Sequence, residues 1–278
     1  MVLLCAVLAA AGASGCGGAA SGKTVVASIY PLAYAAEQVA GSDVRVDDLT
    51  PPGAEPHDLE LTARDVGRVQ KAALVLYVGH GFQPAVEDAL EGRSGPSLDV
   101  LDGARPLRFE RGLDPHVWLD PMRYAEVAQG IARALGGDPA AADPFVSRLR
   151  KLDGDYRLGL ADCRRRTLVT SHAAFGYLAA RYGLRQVPLL GLAPEAEPTP
   201  KELARLVGTI RVSGATTVFT ERLASPALAD TVARETGAAV AVLDPLEGLT
   251  RAELDAGTDY FGVMRQNLAA LRKALECR

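Results

Sequence analysis

Residues 73–79 read "ALVLYVG", and residues 82–92 read "FQPAVEDALEG". The first stretch is an unbroken apolar run, the pattern of a strand buried on both faces of a parallel sheet. The second returns to helical spacing. A strand that passes at once into a helix is the unit of an α/β fold. The same alternation continues in both directions. Upstream, "TVVASIY" (24–30) leads into "PLAYAAEQVAG", a short helix ending at Gly41. "VRVDDLT" (44–50), the loop "PPGAEPHD" (51–58) and the helical "TARDVGRVQKA" (62–72) follow, with Thr62 as N-cap. Downstream, "SLDVLD" (97–102) is a further short strand.

The second half repeats the scheme. "RTLVTS" (166–171), "RQVPLLGL" (185–192), "TTVFTE" (216–221) and "AVAVLDP" (239–245) read as strands. The runs between them, and the final "YFGVMRQNLAALRKAL" (260–275), read as helices. Between the halves no strand pattern occurs. "PMRYAEVAQGIARAL" reads as one helix and "DPFVSRLRKLDGDYRLGLADC" as another, with Phe145, Leu149, Leu152, Tyr156 and Leu160 at steps of three or four. The expectation is two parallel-sheet (β/α)4 lobes, 24–120 and 165–278, joined through connector helices at 121–164. The long helix there is a stiff connector, unlike a Gly/Ser hinge.

Length and composition agree with this. The chain has 278 residues, 48% hydrophobic and 23% charged, with a formal net charge of −4. Acids and bases are mixed along it, so no basic nucleic-acid surface is expected.

The N-terminal run "VLLCAVLAAAGA" has the length of a signal-peptide core and is too short to span a bilayer. Ala13, Ser14 and Gly15 then precede Cys16, which resembles the lipobox of bacterial lipoproteins, where the cysteine is acylated. The expectation is a signal peptide at 1–15, lipidation at Cys16 and a tether over 16–23. That gives an exported protein held on the outer face of the cell membrane or in the periplasm. Of the four cysteines, Cys163 and Cys277 then remain in an oxidising compartment, where a disulfide is the simpler reading.

Histidine is scarce, with four in the chain. His57 follows the second strand, His116 lies in "DPHVWLDP", and His172 stands at the end of the second lobe's first strand. Asp244 ends its fourth strand. Ligands of parallel sheets gather outside the carboxyl ends of strands, so these groups meet if the two sheets face each other across a cleft. Three imidazoles and a carboxylate suit a borderline cation such as Zn²⁺. Pro56 and Pro115 fix the backbone just before two of the histidines. Glu55 and Glu221 are candidates for supporting the ligands. His80, in "YVGHGFQP", reads as a cleft-rim or loop residue.

The stretches "ASIYPLAYAAEQVAG", "PPGAEPHDLELTARDV", "DPHVWLDP", "TSHAAFGYLA" and "LDPLEGL" together resemble the solute-binding lipoproteins of zinc/manganese ABC importers. The resemblance runs in order from about residue 24 to the C-terminus. It implies two α/β lobes joined by a rigid helix, a metal in the cleft, and ligands at His57, His116, His172 and Asp244. It also implies transfer of the metal to the membrane subunits of an ABC permease, a monomer, and no enzymatic activity. Manganese-selective members tend to carry Glu where His172 stands, which points to Zn²⁺. Many zinc receptors also have a His-rich loop before "DPHVW", and this chain has none there, so a manganese or mixed receptor stays as the alternative. A metal-dependent hydrolase is the second alternative; H-E-x-x-H and G-x-S-x-G are both absent, and four protein ligands would close the site to a substrate water.

Overall fold

In the computed structural model the described residues are 23–109, 112–192 and 198–278. The expected signal peptide, Cys16 and nearly all of the expected tether lie outside them. The first sheet contains β1 (Lys23–Ala27), β2 (Val44–Asp48), β3 (Leu74–Tyr77) and β4 (Ser97–Asp99). Its helices are α1 (Tyr30–Val39), α2 (Ala63–Lys71) and α3 (Pro84–Leu90). A short antiparallel pair, β5 (Arg108–Phe109) and β6 (Gly112–Leu113), closes this half. Next come α4 (Pro121–Ala134) and α5 (Asp143–Gly159). The second sheet contains β7 (Thr167–Thr170), β8 (Arg185–Pro188), β9 (Thr217–Thr220) and β10 (Ala239–Val242). Around it lie α6 (Gly176–Tyr182), α7 (Pro200–Ser213), α8 (Ala227–Thr236), α9 (Arg251–Asp255) and α10 (Tyr260–Ala274).

The two sheets have one topology. Their strand orders are β2-β1-β3-β4 and β10-β9-β7-β8, all neighbours parallel. In each, the lobe's first strand sits between its second and third, so the connections leave it in opposite directions. That reversal opens a crevice at the carboxyl ends of the strands. The local chemistry is as the sequence indicates. Thr62 caps α2 in a capping box with Asp65, and Thr199 with Glu202 and Thr250 with Glu253 do the same for α7 and α9.

The join between the lobes is broader than one connector helix. α5 ends at Gly159, short of the run that continues to Cys163. α10 comes back from the second lobe to pack with α1, α4 and α5 around Tyr34, Tyr124, Phe145, Tyr260 and Phe261. The tyrosine hydroxyls find partners there: Tyr124 donates to the Pro31 carbonyl at 2.5 Å, Tyr156 to that of Met264 at 2.7 Å and Tyr260 to that of Trp118 at 2.7 Å. Buried aromatic rings of this kind each contribute about 1.5–3 kcal/mol through burial. A disulfide between Cys163 and Cys277 pins the end of the chain beside the entry to β7.

Candidate metal centre

His57 lies in the loop after β2, beyond Pro51, Pro52 and Pro56. Gln83 donates to the Pro56 carbonyl at 3.2 Å, and the Phe82 ring meets the His57 ring edge-on at 4.6 Å. His116 opens a 3-10 turn over Val117–Leu119. Its backbone N–H and its Nδ1 both bond Asp114 Oδ1, at 3.0 and 2.8 Å. Asp114 fits because residue 176 is glycine; a Cβ there would come 2.5 Å from Asp114 Oδ2. Trp118 stiffens the same turn and reaches across the cleft, its Nε1 donating to the Pro245 carbonyl at 2.7 Å.

His172 follows β7 at the point where the second sheet's connections reverse. Its carbonyl accepts from Thr170 Oγ1 at 2.7 Å and Gln186 Nε2 at 3.0 Å, and its Nδ1 lies 2.7 Å from Glu221 Oε1. Helix α6 begins only at Gly176, so His172 is not a helix-start residue.

These three rings present Nε2 to one carboxylate oxygen, and that oxygen belongs to Glu247. Glu247 Oε1 lies 3.3 Å from His57 Nε2, 2.7 Å from His116 Nε2 and 3.4 Å from His172 Nε2; the Nε2 atoms of His116 and His172 are 3.3 Å apart. One ligand atom from each of the four residues lies within 4.8 Å of the others. Zn–N and Zn–O bonds of about 2.0–2.2 Å place tetrahedral ligand atoms about 3.3–3.6 Å from one another. Three of the four separations match that spacing, and His116 and Glu247 stand closer, at hydrogen-bond distance; the group could hold a single four-coordinate ion with three nitrogens and one oxygen.

A family model described as "Zinc-uptake complex component A periplasmic" (ZnuA) matches residues 25–274. The chain belongs to this family. It is 34% identical to the zinc-binding protein AdcA of Streptococcus pyogenes, over 91% of this chain and 56% of that protein. It thus spans about half the length of the AdcA relatives it matches. The high-affinity zinc uptake system protein ZnuA of Bacillus subtilis is 33% identical, over 97% of this chain and 94% of its own length. The crystal structure of the Zn(II)-bound ZnuA-like domain of Streptococcus pneumoniae AdcA superposes with a TM-score of 0.78 at 34% identity, covering 91% of this chain and 99% of that one.

The position of Asp244 differs from the one expected of it. Its carboxylate is not in the four-residue group. Oδ2 pairs with Arg222 Nε at 2.9 Å, and Oδ1 accepts the Leu246 N–H at 2.7 Å. Asn267 exchanges two hydrogen bonds with its backbone. The Leu246 bond holds that buried leucine in the left-handed region at φ 59°, and the next residue is Glu247. Asp244 therefore shapes the loop that aims the carboxylate. Glu247 stands in the same "LDPLEGL" stretch, three positions on; residue type and spacing do not separate the two, because both are acids just beyond β10.

The electrostatics suit a dication. Burial opposes charge on His116, but hydrogen bonds to Asp114 and Glu247 outweigh it and raise its pKa above the usual histidine value. Burial is likewise overcome at His172, which Glu221 and Glu247 push well above that value. Glu247 is buried too, yet the three imidazoles hold it well below the usual carboxylate range. Glu55 accepts the His57 backbone N–H at 3.3 Å, and burial and the Glu247 charge push its carboxyl up to about 8. Glu221 thus orients the His172 ring, whereas Glu55 fixes the backbone at His57.

Proposed function

We propose that this chain is an extracytoplasmic receptor that captures Zn²⁺ and hands it to the membrane subunits of an ABC permease. The observation that carries the reading is the convergence of His57, His116 and His172 Nε2 with Glu247 Oε1, drawn from both lobes. Three imidazoles favour Zn²⁺ over Mn²⁺, which prefers carboxylate and water. The names of the AdcA and ZnuA relatives support the same cargo. In this reading the receptor is not an enzyme: four side-chain ligands would complete a tetrahedral shell and leave no position for an activated water.

In this reading the lobes are 24–120 and 165–278 with the connector at 121–164, and the protein works as a monomer. It is exported and anchored through Cys16; a relative from Streptococcus pneumoniae is named a zinc-binding lipoprotein. The test is metal analysis of full-length protein purified without chelator, followed by competition between Zn²⁺ and Mn²⁺. One tightly held Zn²⁺ that Mn²⁺ does not displace is the expected result. Preferential retention of Mn²⁺, or no tight metal, overturns it.

A further inference from the structure

The three histidines of the candidate metal centre are not aimed alike. His116 and His172 each bond a carboxylate through Nδ1, that of Asp114 and of Glu221. Histidines that hold metals are ordinarily oriented in this way. Among the described residues His57 has no such partner. Its ring bonds only toward Glu247, through Nε2, and its backbone N–H goes to Glu55. The direction of the His57 ring therefore rests on the loop that carries it, and Gln83 grips that loop from below.

Gln83 stands at the N-cap of α3, yet its side chain does not cap that helix. It turns back into the mouth of the first sheet, where it is only 1% exposed. There Nε2 donates to the Pro56 carbonyl, immediately before His57, at 3.2 Å. It also lies 3.4 Å from the Ser28 carbonyl and from Thr50 Oγ1. One amide thus ties the His57 loop to the residues just beyond β1 and β2.

The arrangement has a cost that packing does not explain. Gln83 Oε1 is buried with no hydrogen-bond partner among the described residues, which opposes folding. The acceptors do not depend on the amide. The Pro56 carbonyl also accepts the Leu59 N–H at 3.3 Å, and the Ser28 carbonyl accepts the Thr50 hydroxyl at 2.7 Å. An apolar side chain of the same length would fill the space and leave no polar atom of its own unpaired. The second lobe repeats the device: Gln186 Nε2 donates to Thr170 Oγ1 at 2.8 Å and to the His172 carbonyl at 3.0 Å. In both lobes a glutamine amide joins a threonine near a strand end to a carbonyl at, or next to, a histidine of the centre.

We propose that Gln83 is a positioning residue for His57, kept for metal binding and not for stability. The proposal rests on the Zn²⁺ reading above. Its test measures the Zn²⁺ affinity of the full-length protein by competition with a chelating dye, and the urea midpoint of each metal-free form. Gln83→Met keeps the length and removes the amide. Gln83→Asn keeps the amide but is one methylene too short to reach Pro56. Each variant is expected to bind Zn²⁺ about tenfold more weakly than the parent, or weaker still. The metal-free midpoint of Gln83→Met should be no lower than the parent's. In a His57→Ala background Gln83→Met should cost nothing further, because the side chain it positions is gone. The proposal is overturned if either folded variant binds Zn²⁺ as tightly as the parent. It is also overturned if Gln83→Met weakens His57→Ala as much as it weakens the parent, the mark of a general structural role. A parent protein that holds no Zn²⁺ would overturn the receptor reading itself, whereas a tight parent with unaffected variants overturns only the role of Gln83.

Discussion

The two lobes share a strand order but hold the side chains of the candidate metal centre differently. The first lobe offers two histidines from proline-stiffened loops, His57 after β2 and His116 after the β5–β6 pair. The second offers His172 directly at a strand end and Glu247 from a loop bent by a left-handed leucine. One fold thus solves the same positioning problem twice, with rigid turns on one side and hydrogen-bonded strand ends on the other. A covalent tie, the disulfide between Cys163 and Cys277, also fastens the last residues of the second lobe to the end of the connector.

That tie gives the largest expected effect. It joins residues 114 apart in the chain, for which loop-closure entropy gives about 4–5 kcal/mol as an upper estimate. Cys277→Ser, or reduction, should lower the melting temperature on the order of 10 °C. The loss should fall on the second lobe, with amides of β7 and α10 exchanging faster than those of β1 and β3. Equal loss of protection in both sheets would show that the lobes unfold as one unit.

Removing a ligand comes next. At free Zn²⁺ about 100 times the dissociation constant, binding to the folded state adds about 2.7 kcal/mol, a melting shift of about 5–10 °C. His57→Ala, His116→Ala, His172→Ala and Glu247→Ala should each lose most of that shift. If His172→Ala keeps it, the first lobe alone holds the ion and the pairing of lobes at the metal is broken. Bound metal requires neutral imidazoles, so affinity falls with pH. Because His116 and His172 are raised in the metal-free site, the decline should begin above pH 6.5.

Smaller changes sharpen the contrast in how each ligand is aimed. Asp114→Ala in the first lobe and Glu221→Ala in the second leave all four proposed ligands in place but free one ring each. Loss of such partners typically costs 10–100-fold in metal affinity, and equilibrium competition with a chelating dye would read it. Asp244→Ala belongs in the same range, because it acts through Leu246 on the direction of Glu247. A loss from Asp244→Ala equal to that from Glu247→Ala would return Asp244 to the ligand shell.

Much of this was legible in the sequence. The eight strands of the two sheets stood out from their alternation with helical stretches, and because histidine is scarce, His57 and His172 drew notice just beyond two of them. β5 and β6 did not stand out, since two residues apiece are too few to show a period. The return of α10 to the first lobe was hidden as well; its apolar face names no partner, and only the packing of Tyr260 and Phe261 on Tyr124 and Phe145 reveals one. The choice of Glu247 over Asp244 depends on Arg222 and Asn267, which lie 22 and 23 residues from Asp244 and meet it only in the folded chain.

The last contrast is between the two outer strands that flank the first strand of each lobe. In the second lobe β8 ends at Pro188, paired with Thr170; in the first, β2 ends at Asp48, paired with Ala27. Asp48 is half-buried, and its Oδ1 accepts the Thr50 N–H at 3.0 Å. Burial, helped by the Glu37 charge, pushes its carboxyl up to about 7. A carboxyl whose folded pKa lies above the unfolded value of about 3.9 favours folding while it is protonated. That contribution is present in full below about pH 4 and is lost as pH rises through about 7. Full conversion of the shift would overstate it, since the side chain is partly open to water, and about 1 kcal/mol is the expected size. Asp48→Asn keeps the acceptor for Thr50 and stays neutral. Metal-free protein should therefore show equal urea midpoints for parent and variant at pH 4, and a more stable variant at pH 8. A variant less stable than the parent at pH 8 would mean that the Asp48 charge supports the first lobe, through Arg68, more than its burial opposes it.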